Sequence, residues 1–129
     1  MAGVTADVLA RLSGICSELP EAERELAGAH AKFTVRRRTF AYFLDDHHGD
    51  GIVGVVCKAP GGMAEGVVGA DPRYYAPAYL GPRGWIGLRL DTVTVDWDAV
   101  GGLVADSYLL VAPKRLAAQL TQDAGHSGP

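Results

Sequence analysis

The sequence predicts an α+β domain: a two-layer sandwich in which an antiparallel sheet carries its helices on one face. Segments with apolar residues at three- and four-residue steps stand near both ends of the chain, while the middle is made of short β-branched and aromatic runs cut by turn residues. Neighbouring runs are too close in sequence for the long crossover that parallel strands need, so they pair antiparallel. With 129 residues, 48% of them hydrophobic and 21% charged, the chain can bury a core and does not have the composition of a disordered segment. The expectation is one domain over residues 1–121, followed by a flexible C-terminal tail, 122–129, of small and polar residues.

The elements follow in order. Between Ala6 and Ser17, Val8, Leu9, Leu12 and Ile15 make one apolar stripe, and Leu19-Pro20 stops the helix. An acidic stretch then reads as turn-rich. Phe33-Thr34-Val35 and Thr39 to Leu44 read as two strands joined at a basic tip, Arg36-Arg37-Arg38. After the loop Asp45 to Gly51 comes a third, more buried strand, Ile52 to Cys57, ended by Lys58-Ala59-Pro60. Met63 to Ala70 reads as a short helix, and Tyr74 to Pro82, with Pro77, as a structured aromatic connection. Trp85 to Leu90 alternates as a half-buried strand should, with Ile86, Leu88 and Leu90 on one face. Asp96 then caps a helix of about fourteen residues whose inner stripe is Trp97, Val100, Val104, Tyr108 and Val111. Pro113 opens a last helical segment to Leu120.

No run of residues approaches the ~18 apolar positions of a membrane span, and the N-terminus has neither the basic start nor the apolar core of a signal peptide. A cytoplasmic protein without a membrane partner is expected. The two cysteines, Cys16 and Cys57, stand in no disulfide framework or CxxC pair and read as buried free thiols. A formal charge of −3 argues against a surface given over wholly to nucleic acid. The charge is patchy, however. Lys32 to Arg38 holds four cations and no acid, while Glu18, Glu21, Glu23 and Glu25 are offset only by Arg24.

Motifs for catalysis are missing. Gly49-Asp50-Gly51-Ile52-Val53-Gly54 spells GxGxxG, but its third glycine lies inside an apolar strand instead of opening a helix, so the dinucleotide reading fails on context. Asp45, Asp46, His47, His48 and Asp50 hold metal-ligand chemistry within six residues, yet adjacent histidines seldom converge on one ion, and a solvated turn accounts for them. There is no GxSxG elbow. Ser107 reads as a hydroxyl bonded within its own helix or capping a neighbour. A non-catalytic protein without metal or cofactor is therefore expected.

Two binding chemistries stay open. Lys32, Arg36, Arg37 and Arg38 at a hairpin tip, with Arg83 on the glycine-proline loop as a second contact, have the charge to straddle a phosphate backbone, DNA being the partner. Alternatively Tyr74, Tyr75, Tyr79 and Trp85 surround the proline-rich connection, where an apolar cleft with polar tips would hold an aromatic small molecule. A third reading is an interaction protein that pairs through a sheet edge or an apolar face.

The order Tyr79-Leu80-Gly81-Pro82-Arg83-Gly84-Trp85, then Asp106-Ser107-Tyr108 and Ala112-Pro113-Lys114-Arg115, resembles the MmcQ/YjbR-like family. The resemblance extends back through Leu19-Pro20-Glu21, Lys32-Phe33, Thr39-Phe40-Ala41, Lys58, Pro72 and Tyr75, and includes Trp97. It implies a two-layer α+β fold akin to secretion-chaperone-like and frataxin-like domains. It also implies a DNA-binding role in which two hairpins act as wings, or, from a namesake in a mitomycin biosynthesis cluster, drug sequestration. Where the family usually has a glycine-lysine pair at the first hairpin, this chain has Arg37-Arg38, which keeps charge but gives up the glycine of a tight turn. Fold likeness alone does not give the function.

Overall fold

A computed structural model describes residues 2–60 and 66–126. Its six strands are β1 (Ala22–Ala27), β2 (His30–Val35), β3 (Arg38–Asp45), β4 (Val53–Lys58), β5 (Tyr74–Tyr75) and β6 (Trp85–Arg89), and its helices are α1 (Ala2–Ser17), α2 (Trp97–Val111) and α3 (Lys114–His126). The sheet runs β1-β2-β3-β4-β6-β5, and every neighbouring pair is antiparallel. This is the α+β, helix-on-sheet arrangement expected from the pattern.

Register decides what each face does, because residues directly opposite in a ladder share a face. One row joins Ala31, Phe43, Val55 and Leu88; the next joins Phe33, Ala41, Cys57 and Ile86. All eight are buried, and the helices close over them with Leu12 and Cys16 from α1, Val100, Val104 and Tyr108 from α2, and Leu116 from α3. Each such large side chain taken fully out of water contributes roughly 1.5–3 kcal/mol. The other face carries the row Glu25, Lys32, Tyr42, Val56, Gly87 and Tyr75. Cys16 and Cys57 are free and buried, and burial pushes the Cys16 thiol up to about 12 and the Cys57 thiol well above its ordinary value.

The helix layer is fastened to the sheet at one irregularity. The register between β2 and β3 shifts after Phe33, so Phe40 falls opposite no residue of β2. Its carbonyl accepts the Ser107 hydroxyl at 2.6 Å, and Ser107 Oγ in turn accepts the Lys58 N–H at 2.9 Å. Ser107 thus bonds the sheet rather than its own helix, contrary to the sequence reading, because α2 lies close enough over β3 and β4 for the short side chain to reach their backbone. Next to it Tyr108 packs edge-on against Phe40, with ring centroids 5.5 Å apart, and donates its hydroxyl to the Pro20 carbonyl at 2.7 Å. Asp96 caps α2 as expected, accepting the Ala99 N–H at 3.1 Å.

Two strands escaped the sequence reading. β1 lies in the acidic stretch read as turns, since Ala-Glu-Arg-Glu-Leu-Ala has neither alternation nor β-branched residues; its pairing with β2 makes it a strand. β5 is two residues long, inside the aromatic connection. The short helix expected over Met63 to Ala70 lies partly outside the described residues; within them Gly66 and Val67 are helical and a turn follows. Helical backbone continues to His126, through most of the expected tail, since no proline interrupts the alanine- and glutamine-rich run after Lys114.

Candidate nucleic-acid interface

Val35 and Arg38 face each other at the end of the β2–β3 ladder, which leaves Arg36 and Arg37 as a two-residue turn. Both take left-handed conformations, with φ of 49° and 68°, the backbone of a type I′ hairpin that usually calls on asparagine and glycine. The tight turn therefore survives without its glycine. Glu21 helps hold it: the Arg36 guanidinium donates to both carboxylate oxygens, at 2.7 and 2.9 Å. These bonds, reinforced by the charge of Arg115, lower the proton affinity of Glu21 below the usual carboxylate value. Arg36 is thereby neutralised at the tip. Arg37 and Arg38 stand exposed and, among the described residues, form no ion pair.

The antiparallel connections bring further cations to the same end. β3 begins there and β4 ends there, so Lys58, opposite Trp85, lies at that end, and Arg83 stands two residues before Trp85 in the turn Gly81–Arg83. Arg115, near the start of α3, lies close enough to act on Glu21. Arg37, Arg38, Lys58, Arg83 and Arg115 thus gather at one end of the domain, with Glu21 and Glu23 among the neighbouring acids. The opposite end of the sheet holds Asp45, Asp46, Asp50 and Asp91, where Arg89 is tied to Asp91 at 2.9 Å. A chain of net charge −3 therefore has one basic end.

Lys32, grouped with the tip from sequence, does not belong to it. Its side chain lies on the face away from the helices and pairs with Glu25 at 3.3 Å. Lys58 and Arg115, in turn, were not singled out from sequence. For Lys58 the signal existed, because a strand that follows β3 by a hairpin must end where β3 begins.

The four aromatic residues of the small-molecule reading do not line one cleft. Tyr74 and Tyr75, adjacent in β5, face opposite ways. Tyr74 packs against the core, with the Arg73 guanidinium 5.8 Å from its ring centroid. Tyr75 lies across two strands on the other face: a Cβ at Gly54 would stand 2.5 Å from its hydroxyl oxygen, and one at Gly87 would overlap its ring. Burial raises the Tyr75 pKa. Trp85 packs against Tyr42 at 5.4 Å, and Tyr79, exposed and left-handed at φ 64°, sits 4.8 Å from the His48 ring. The third glycine of the GxGxxG string is Gly54, whose missing side chain makes room for Tyr75. The Asp45 to Asp50 loop is held by its own carboxylates, Asp46 Oδ1 accepting the Gly51 N–H at 2.7 Å and Asp50 Oδ1 the Ile52 N–H at 2.9 Å, and no group of three or more metal-ligating side chains occurs among the described residues.

The arrangement presents Arg37, Arg38, Lys58 and Arg83 as exposed cations at one end of the sheet. No helix among the described residues is long and apolar enough to cross a membrane. No curated protein matches the chain. A solved structure does: Deinococcus radiodurans protein DR2400, of domain family DUF419, superposes with a TM-score of 0.66 at 24% identity, covering 88% of this chain and 87% of that one. That likeness shows the fold. The YjbR family model matches residues 17–110, a span that takes in the whole sheet, the basic hairpin and the Ser107-Tyr108 anchor, and by this match the chain belongs to the YjbR family.

Proposed function

We propose that this YjbR protein binds DNA through its basic end, contacting phosphates and carrying out no reaction on them. The observation that supports the reading is the gathering of Arg37, Arg38, Lys58 and Arg83, all exposed, at the end of the sheet opposite Asp45, Asp46, Asp50 and Asp91. Phosphate contacts position a protein on a duplex without reading sequence. Any sequence preference must therefore come from base contacts or from the shape of the DNA. The hairpin tip and the Gly81–Arg83 turn serve as the two projections that straddle the backbone.

Fluorescence anisotropy of a labelled duplex, at low and at physiological salt, tests it. Wild type should bind with log Kd rising by about 0.9 per phosphate contacted for each decade of salt. An Arg37→Ala/Arg38→Ala/Arg83→Ala variant should lose most of that affinity and slope. Absence of binding at low salt, or binding unchanged in the variant, would refute the reading.

A further inference from the structure

Tyr42, Tyr75 and Trp85 lie on the face of the sheet turned away from the helices. Val56 belongs to that face too, opposite Tyr42, yet it is fully buried. The large side chains around it are aromatic. Trp85 meets Tyr42 with ring centroids 5.4 Å apart, and the Tyr75 ring lies over Gly54 and Gly87 on the neighbouring strands. Tyr42 and Trp85 are each only partly buried, and at 55° to one another neither is stacked flat on the other. Both rings can therefore still take a flat partner.

Charge and space narrow the partner. Lys58 faces Trp85 across the β4–β6 ladder, so cation and indole share a face, and Arg83 stands two residues before Trp85. Both cations belong to the basic end. On the β1 side the same face carries Glu23 and Glu25, the latter tied to Lys32, which turns a phosphate chain away from β1 and over β3, β4 and β6. Next to Tyr42 the face opens into a cavity of about 280 Å³, bounded also by Glu25, His30, Lys32 and Leu44. A nucleobase, uncharged at neutral pH, enters there more readily than a phosphate, which would meet Glu25. Aromatic rings bordered by cations suit a single strand, whose bases are free to stack on protein, whereas those of a duplex are stacked on one another.

We infer that the protein prefers single-stranded to duplex DNA, one base stacking on Trp85 and the next on Tyr42 while Lys58 and Arg83 hold the phosphates. The inference rests on the proposed DNA contact at the basic end and adds the bases to it. Anisotropy of labelled oligothymidylate and of a labelled duplex of equal length, at physiological salt, tests it. Wild type should bind the single strand about tenfold more tightly than the duplex, and Trp85→Leu, which keeps an apolar cover over Val56, should weaken the strand about tenfold and leave the duplex unchanged. Trp97→Phe leaves Trp85 as the sole tryptophan, and its emission should fall on oligothymidylate and hold on the duplex, so the test survives if Trp85→Leu misfolds. Strand and duplex bound alike, strand affinity unchanged in folded Trp85→Leu, or emission of Trp85 unmoved by bound oligothymidylate would mean that the rings only roof Val56, and would overturn the inference while duplex binding leaves the phosphate reading standing. Binding of neither nucleic acid at low salt would overturn both.

Discussion

Ser107 and Phe40 are bonded across 67 residues of sequence, the serine hydroxyl donating to a carbonyl that the strand register has left unopposed. Replacing Ser107 with alanine strands that carbonyl and the Lys58 N–H together. Destabilisation of roughly 2 kcal/mol is expected, read as a lower urea midpoint with unchanged slope. DNA affinity of the folded fraction should not change, since the side chain is fully buried.

Tyr75 and the glycines beneath it make a second prediction. Gly87→Ala forces the Tyr75 ring to move and should destabilise by roughly 1–3 kcal/mol. In the double variant with Tyr75→Ala the overlap is gone, so the combined loss should be smaller than the sum of the two single losses. Additive losses in thermal or urea unfolding would contradict the packing.

At the hairpin, Arg37 holds a φ of 68°, a conformation that L-residues adopt at a cost of roughly 1–2 kcal/mol and glycine adopts freely. Arg37→Gly should therefore raise the melting temperature, with a net gain of about 0.5–1 kcal/mol once the extra freedom of glycine in the unfolded chain is counted. The same substitution should weaken DNA binding, which separates stability from function in one variant.

Glu21 should act in the opposite sense. Glu21→Gln frees the Arg36 guanidinium and should steepen the salt dependence of DNA binding by about one unit of slope. The carboxyl is held below its ordinary value by Arg36, so the pair contributes fully above the unfolded-state value of about 4.3 and fades as pH falls through the lower folded value. Backbone shifts at Arg36 and Arg37 should thus stay constant from neutral pH to about 5 and move only below that. In Glu21→Gln this acid-range movement should vanish.

The sheet and its helices were legible because their signals are periodic: Ile86, Leu88 and Leu90 alternate, and Val100, Val104 and Tyr108 recur at helical steps. β1 was not, since Glu23, Arg24 and Glu25 become a strand only through their partners in β2. The arginines of the candidate site could be read one loop at a time, but that Lys58 and Arg83 join Arg38 at one end depends on the order of strands. Tyr74 and Tyr75 show the converse: neighbours in sequence, they part because successive residues of a strand point to opposite faces.

The charged β1 also has a bearing on solubility. Were a second copy to extend the sheet edge to edge at β1 with both helix layers on the same side, residues of like face would meet. The registers with most overlap set Arg24 against Arg24 with Glu23 against Glu25, or Glu25 against Glu25. The opposite edge, β5, offers only two residues to pair with. Neither border of the sheet is a good template for another chain, and the fold is thereby guarded against growing into fibres.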